Sequence, residues 1–185
     1  MSQIILVTGP ARSGKSEWAE TLATETQLHV VYVATGNQDV NDTEWQKRIQ
    51  NHQLRRPPNW LTLEVPRNLS HVIADAHPHS CILVDSLGTW VANYLDMNEE
   101  TWSNIAQELL ETVGIIAAKI IFVAEETGWG VIPAYPLGRI FRDRLGNLVR
   151  QLSVISDTAY LVTGGYVLNL GRLGFPLPIV QEDTN

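Results

Sequence analysis

Cysteine is nearly absent: Cys81 is the only one in 185 residues. No intramolecular disulfide can form, and no cluster of thiolates can hold a metal. Cys81 lies in an apolar run, which suits a buried structural thiol rather than a nucleophile. Positive charge is also scarce. Lysine and arginine total 13 against 20 acidic residues, and the pI is near 5.1. That balance excludes the broad basic surface a nucleic acid requires, so neither DNA nor RNA is an expected partner. Long apolar stretches are missing too. The run from Val113 to Ala124 is too short to span a bilayer and contains Lys119. Nothing resembles a secretory leader, so the expected compartment is the cytoplasm. The patterns at Asn41-Asp42-Thr43 and Asn68-Leu69-Ser70 therefore carry no weight as glycosylation sites. There is no repeat, linker or low-complexity segment. Residues 1–185 are expected to form one nucleotide-binding domain, with an irregular tail from about residue 171.

Residues 4–16, IILVTGPARSGKS, carry the densest signal. Ile4, Ile5, Leu6 and Val7 form a β-branched apolar run of the kind found in buried strands. Gly9 to Ser16 then match G-x-x-x-x-G-K-[ST], a phosphate-binding loop. Gly9 and Gly14 let the backbone fold so that N–H groups of Pro10-Ala11-Arg12-Ser13 and their neighbours face phosphate oxygens, proline itself having no N–H to offer. Lys15 supplies a compact positive charge for the β/γ-phosphates, and Ser16 a hydroxyl for Mg²⁺. A helix from Glu17 to Ala23 would aim its positive end at the same anion. The loop names a ligand class and leaves the reaction open.

Strand-like runs recur at 4–8, 29–34, 81–85, 119–124 and 158–163, with a short edge strand at 166–170. Apolar stripes of helical spacing lie between them. Leu87, Val91, Tyr94 and Leu95 form one; Ile105, Leu109, Val113 and Ile116 another; Ile140, Leu145, Leu148, Leu152 and Ile155 a third. Alternating β and α elements with fully apolar strands predict an α/β fold. Its central sheet is mostly parallel, with helices on both faces, as in phosphate-loop NTPases.

Three further groups can carry chemistry. Asp85 ends the run Ile82-Leu83-Val84 and suits the second Mg²⁺ contact; the competing reading is a helix cap, a role Ser86 could also fill. Residues 48–60 read RIQNHQLRRPPNW, and Thr43 can cap a helix here that Pro57 and Pro58 then end. Helical spacing puts Arg48, His52 and Arg55 on one face. Neighbouring cations disfavour imidazolium, which leaves His52 a lone pair for attack on phosphorus, and arginines bind phosphate bidentately. A solitary histidine on a polar helix is more often merely exposed. His71, His77 and His79 lack such surroundings. Glu125 to Pro133, EETGWGVIP, forms an unusual loop after a strand. In it Glu126 could hold metal, ribose or acceptor, and Trp129 and Tyr135 could stack on a ring or simply pack.

Taken together, these segments resemble the bifunctional adenosylcobinamide kinase / adenosylcobinamide-phosphate guanylyltransferase family. The matching residues are Gly9–Ser16, the R-I-x-x-H-x-x-x-R-P-x-x-W pattern at Arg48–Trp60, E-x-G-x-G-x-x-P at Glu126–Pro133, and Phe141-Arg142-Asp143 with Gly146. The resemblance covers residues 3 to about 165, and the histidine segment is its most specific part. It implies phosphorylation of adenosylcobinamide from ATP or GTP. GMP transfer from GTP through a guanylylated histidine, here His52, then gives adenosylcobinamide-GDP. It further implies a homotrimer and Mg²⁺. The implied catalytic residues are His52 and Lys15. Nucleotide binding falls to Gly9 through Ser16, Arg48, Arg55, Glu64 and Asp85, and metal binding to Ser16 and Asp85. The chain departs from the family pattern at Glu125, where asparagine is common, at Thr127, where valine is, and at Val149-Arg150, where Asn-Gln is expected. Two other classes fit the residues alone. One is a small-molecule kinase that leaves His52 idle; the other is a non-enzymatic nucleotide-binding module.

Overall fold

The computed structural model of the chain describes residues 3–37 and 56–177. In chain order its elements are β1 (Gln3–Gly9), α1 (Lys15–Glu25), β2 (His29–Ala34), β3 (Leu61–Glu64), α2 (Leu69–Ala74) and β4 (Ser80–Asp85). Then come α3 (Leu87–Ala92), α4 (Glu99–Ile115), β5 (Lys119–Glu125), α5 (Pro136–Ile155), β6 (Thr158–Thr163), β7 (Tyr166–Asn169) and α6 (Leu170–Leu173). The strands form one sheet in the order β3-β2-β4-β5-β1-β6-β7. Every pairing is parallel except β6 with β7.

Alternation along each strand divides the core into two layers. Ile4, Leu6, Ile82, Val84, Ile120 and Phe122 face one side, where Leu69, Trp90, Leu109 and Leu145 from α2, α3, α4 and α5 cover them. Ile5, Val7, Leu83, Ile121 and Val123 face the other, where Ala19 and Ala23 of α1 lie against them. Small alanines at the α1 contact let that helix sit close to the sheet. The strands expected at 29–34 and 158–163 have those bounds, and the others match to within two residues.

Several sequence expectations need correcting. β3 and α2 are additional elements. β3 is only Leu61–Glu64 and mostly exposed, so it has too few alternating positions to stand out. The edge strand stops at Asn169, because Leu170–Leu173 turn into α6, the start of the segment expected to be irregular. α3 ends at Ala92, so Tyr94 and Leu95 do not continue its stripe as helix; Tyr94 instead closes a ring cluster with Trp90 and Trp102, 5.3 and 6.1 Å between centroids. Ile140 and Ile155, the ends of the α5 stripe, are exposed, because the helix runs past the layer it covers. The helix expected over residues 43–56 lies outside the described residues, Arg56 excepted.

Arg144 fastens α5 to the α3–α4 turn. Its guanidinium, 5% exposed, donates to the carbonyls of Tyr94 (2.9 Å) and Met97 (2.8 Å) and to Glu99 Oε2 (3.2 Å). Glu99 is well exposed, so the carbonyl bonds carry most of the benefit. Arg144→Ala would remove a donor from each carbonyl in the interior, the Tyr94 oxygen keeping the Met97 N–H (3.1 Å). It is expected to destabilise the fold by about 3 kcal/mol, read as a lower urea midpoint with an unchanged slope.

Candidate active site at the carboxyl edge of the sheet

Parallel pairing brings the carboxyl ends of five strands to one edge. Gly9 of β1 is the register partner of Glu125 on β5, and Asp85 of β4 pairs with Val123 on the same strand. Ala34 of β2 pairs with Asp85 on one side and Glu64 on the other. The phosphate loop, Asp85, Glu64 and the Glu125–Glu126 pair thus share the edge where α/β folds bind ligands.

The loop has the expected shape. Gly14 is left-handed, with φ 92°, and Arg12 adopts the same region at φ 59°. Gly14 stands at the N-cap of α1 without a capping side chain, so the N–H groups that open the helix can serve an anion. Lys15 is buried and its Nζ donates to Pro10 O at 3.3 Å, folded over its own loop. The Ser13 hydroxyl is buried with no protein partner among the described residues. A Cβ on Gly9 would overlap Val162 O and approach Ser13 Oγ to 2.7 Å, so only glycine fits at the loop entrance. Ser16 is half-buried in the first turn of α1.

The acidic residues hold different posts. Asp85 Oδ2 accepts from the Tyr32 hydroxyl at 2.8 Å. Burial first, and then the Asp85 charge, push the Tyr32 phenol well above its ordinary pKa, so it stays a donor. Asp85 does not cap α3. Ser86 does, in a capping box with Thr89. Glu125 accepts from Ser86 Oγ at 2.6 Å and from the Gly88 N–H at 2.9 Å. Glu126 accepts from Thr8 Oγ1 at 2.6 Å, and its N–H donates to Gly9 O at 2.9 Å. Each glutamate therefore pins a backbone segment beside the loop. Tyr32, Thr35 and Asn93 escaped the sequence reading. Thr35 Oγ1 donates to Ser86 O (2.6 Å), and Asn93 Nδ2 to both Thr35 O and Pro66 O (2.7 Å each). Their only trace in the sequence is a polar tip or amide beside apolar runs.

Arg48, His52 and Arg55 lie outside the described residues. The chain resumes at Arg56, whose guanidinium carbon sits 3.4 Å from the centroid of the Tyr32 ring. The end of the histidine segment thus rests on the tyrosine that holds Asp85. Cys81 is fully buried, and burial pushes its thiol up to about 11, which keeps it protonated and inert. No group of three His, Cys, Asp or Glu that could hold a metal occurs among the described residues. In the same residues no helix is long and apolar enough to cross a membrane.

The model of the cobinamide kinase / cobinamide phosphate guanyltransferase family matches residues 5–170. The chain belongs to this family. As a member it is an enzyme of kinase and guanylyltransferase type in cobalamin biosynthesis. It is 41% identical over 167 residues to the bifunctional adenosylcobalamin biosynthesis protein CobP of Pseudomonas aeruginosa, covering 89% of this chain and 95% of that protein. Its identity to CobU of Escherichia coli K12, a protein of the same description, is 36% over 177 residues, with 88% and 96% covered. Solved structures show the fold alone. A Pyrococcus horikoshii protein, PH0250, superposes with TM-score 0.56 at 9% identity over 99% of this chain and 94% of its own. A type III secretion ATPase superposes with TM-score 0.54 at 13% identity, over 88% of this chain and 51% of its own. The family member thus keeps an NTPase-like sheet with its phosphate loop on β1.

The contact between α3 and Glu125 gives a test of packing at the site. A methyl on Gly88 would overlap Glu125 Oε2, whereas one on Gly146 of α5 would meet nothing within 4 Å. Gly88→Ala is expected to destabilise by about 2 kcal/mol. Gly146→Ala should stabilise by about 0.8 kcal/mol, as Gly to Ala does in helices. Urea unfolding of both variants checks the contrast, and equal effects would contradict it.

Proposed function

We infer that this chain carries out both family reactions with one nucleotide-binding edge: phosphorylation of adenosylcobinamide from ATP or GTP, then GMP transfer from GTP to adenosylcobinamide phosphate. The single observation that carries the reading is the convergence of the phosphate loop, Asp85 and the Arg56–Tyr32 stack at one edge of the sheet. An arginine at that edge suits the phosphates of a donor or an acceptor, and Arg56 closes the sequence segment that carries His52.

In the kinase step the backbone of Gly9–Ser16 and the Lys15 ammonium hold the triphosphate. The acceptor hydroxyl attacks the γ-phosphorus, and the nucleoside diphosphate leaves. In the transfer step a neutral nitrogen of His52 attacks the α-phosphorus of GTP and expels pyrophosphate. Arg48 and Arg55 steady the charge. The phosphate of adenosylcobinamide phosphate then attacks the same phosphorus and releases His52, giving adenosylcobinamide-GDP. A covalent histidine intermediate divides one hard displacement into two easier ones. Glu64 and Asp85 complete the nucleotide contacts.

The donor chemistry suits Mg²⁺: a hydroxyl at Ser16 and a carboxylate at Asp85 are hard oxygens. Mg²⁺ is commonly held by one or two carboxylates together with substrate phosphates rather than by an all-protein cage. When bound it would neutralise phosphate charge. Both nucleotides and the cobinamides are small-molecule substrates; a homotrimer in the cytoplasm, built from the single domain of residues 1–185, completes the proposal.

Incubation with α-³²P-GTP and Mg²⁺ should leave an acid-labile, alkali-stable label on the denatured protein, and His52→Ala should abolish it. Absence of label, or equal label on the variant, would refute the assignment. Lys15→Ala should reduce both activities by about a hundredfold or more, since both draw on the same phosphates. Full guanylylation in that variant would demand a second nucleotide site.

A further inference from the structure

The loop after Glu126 carries an apolar surface that the nucleotide contacts do not use. Trp129 is 66% exposed, Val131 95%, Ile132 66% and Tyr135 80%. Single exposed apolar residues are ordinary, but here four large ones fall within seven consecutive positions, 129 to 135. The loop is braced at both ends. Glu126 is tied to Thr8 and Gly9 at its start. Arg139 Nη1 donates to Pro133 O (3.0 Å) and Ala134 O (2.8 Å) at its end. Gly138 leaves room for the Pro133 ring there, since a Cβ would come within 2.8 Å of Pro133 Cβ. Residues 127–138 contain no charged side chain. Such a surface repels no cation, attracts no phosphate, and favours a broad, largely apolar ligand.

We propose that Trp129, Val131, Ile132 and Tyr135 form the platform on which the acceptor's macrocycle rests during both reactions. The proposal rests on the function inferred above, in which the acceptor is a cobinamide. Its reactive hydroxyl sits at the end of a short arm, while the corrin ring is too bulky for a phosphate cradle. Delivering that hydroxyl to the γ-phosphorus leaves the ring against the protein surface beside the loop. The 129–135 segment leaves β5 at that edge, three residues beyond a glutamate bonded to the phosphate-loop strand. The aromatic rings would contact the conjugated rim, and the aliphatic pair its methylated edge.

The test is equilibrium dialysis of the full chain against adenosylcobinamide, followed by its visible absorbance. The variants are Trp129→Ser/Val131→Ser and, as a control, Ile115→Ser. Ile115 is 87% exposed but ends α4 near the opposite edge of the sheet. The double variant should bind cobinamide at least about tenfold more weakly, with GTP affinity and His52 labelling unchanged. The control should match wild type. Unchanged cobinamide affinity in the double variant, beside normal wild-type binding, would overturn the platform alone. Loss of a wild-type oligomer in the double variant, seen by light scattering, would assign the patch to a contact between copies and also overturn it. A wild-type chain that retains no cobinamide would overturn the inferred function, and the platform with it.

Discussion

The architecture turns on a close approach at the end of β1. Gly9 sits between two neighbouring strands, its Cα turned toward Val162 O and its own carbonyl accepting from the Glu126 N–H at 2.9 Å. No side chain can stand there. Because β1 lies between β5 and β6, the phosphate loop is gripped from both sides as it leaves the sheet. The same placement sets Glu125 and Glu126 at the loop's shoulder and gives each a local task. One braces the start of α3; the other braces β1 itself. A parallel sheet with helices on both faces buries its central strands, here β1, β4 and β5, and gathers their polar ends at one edge.

Much of this was legible in the residues. Continuous apolar runs such as Ile82-Leu83-Val84 and Ile120-Ile121-Phe122-Val123-Ala124 need two buried faces, and that requirement points to a parallel sheet. The phosphate loop was legible because its shape depends on glycines at fixed spacing, a local property. Pairings between distant residues were not. Tyr32 bonding Asp85, and Glu125 bonding Ser86, depend on which strands become neighbours, and 53 and 39 positions separate the partners. Glu125 stood out in the sequence only as a departure from a family pattern; in the fold it is a brace with two bonds. Short exposed elements such as β3 escaped for a different reason. Leu61 is half exposed, so too few positions are buried to impose a pattern.

Chemistry and stability use separate layers of the same molecule. The face covered by α3, α4 and α5 contains the large aromatic cluster of Trp90, Tyr94 and Trp102, with Arg144 stitched through it. The face under α1 buries fewer residues, Ala19 and Ala23 of the helix among them. α1 nevertheless carries the lysine and serine of the phosphate loop. Ala19 and Ala23 set it against the strands, and Trp18, edge-on to the Tyr160 ring at 5.7 Å between centroids, and Leu22 pack beside them.

Lys15 has a consequence of its own. The residue is 6% exposed and its ammonium is already bonded to the Pro10 carbonyl. A surface lysine must surrender its rotameric freedom when it meets an anion, and that loss subtracts from affinity. Here folding has already removed the freedom. A triphosphate entering the loop exchanges a neutral oxygen for a charged one around a side chain that is already in place, so most of the electrostatic gain appears as binding.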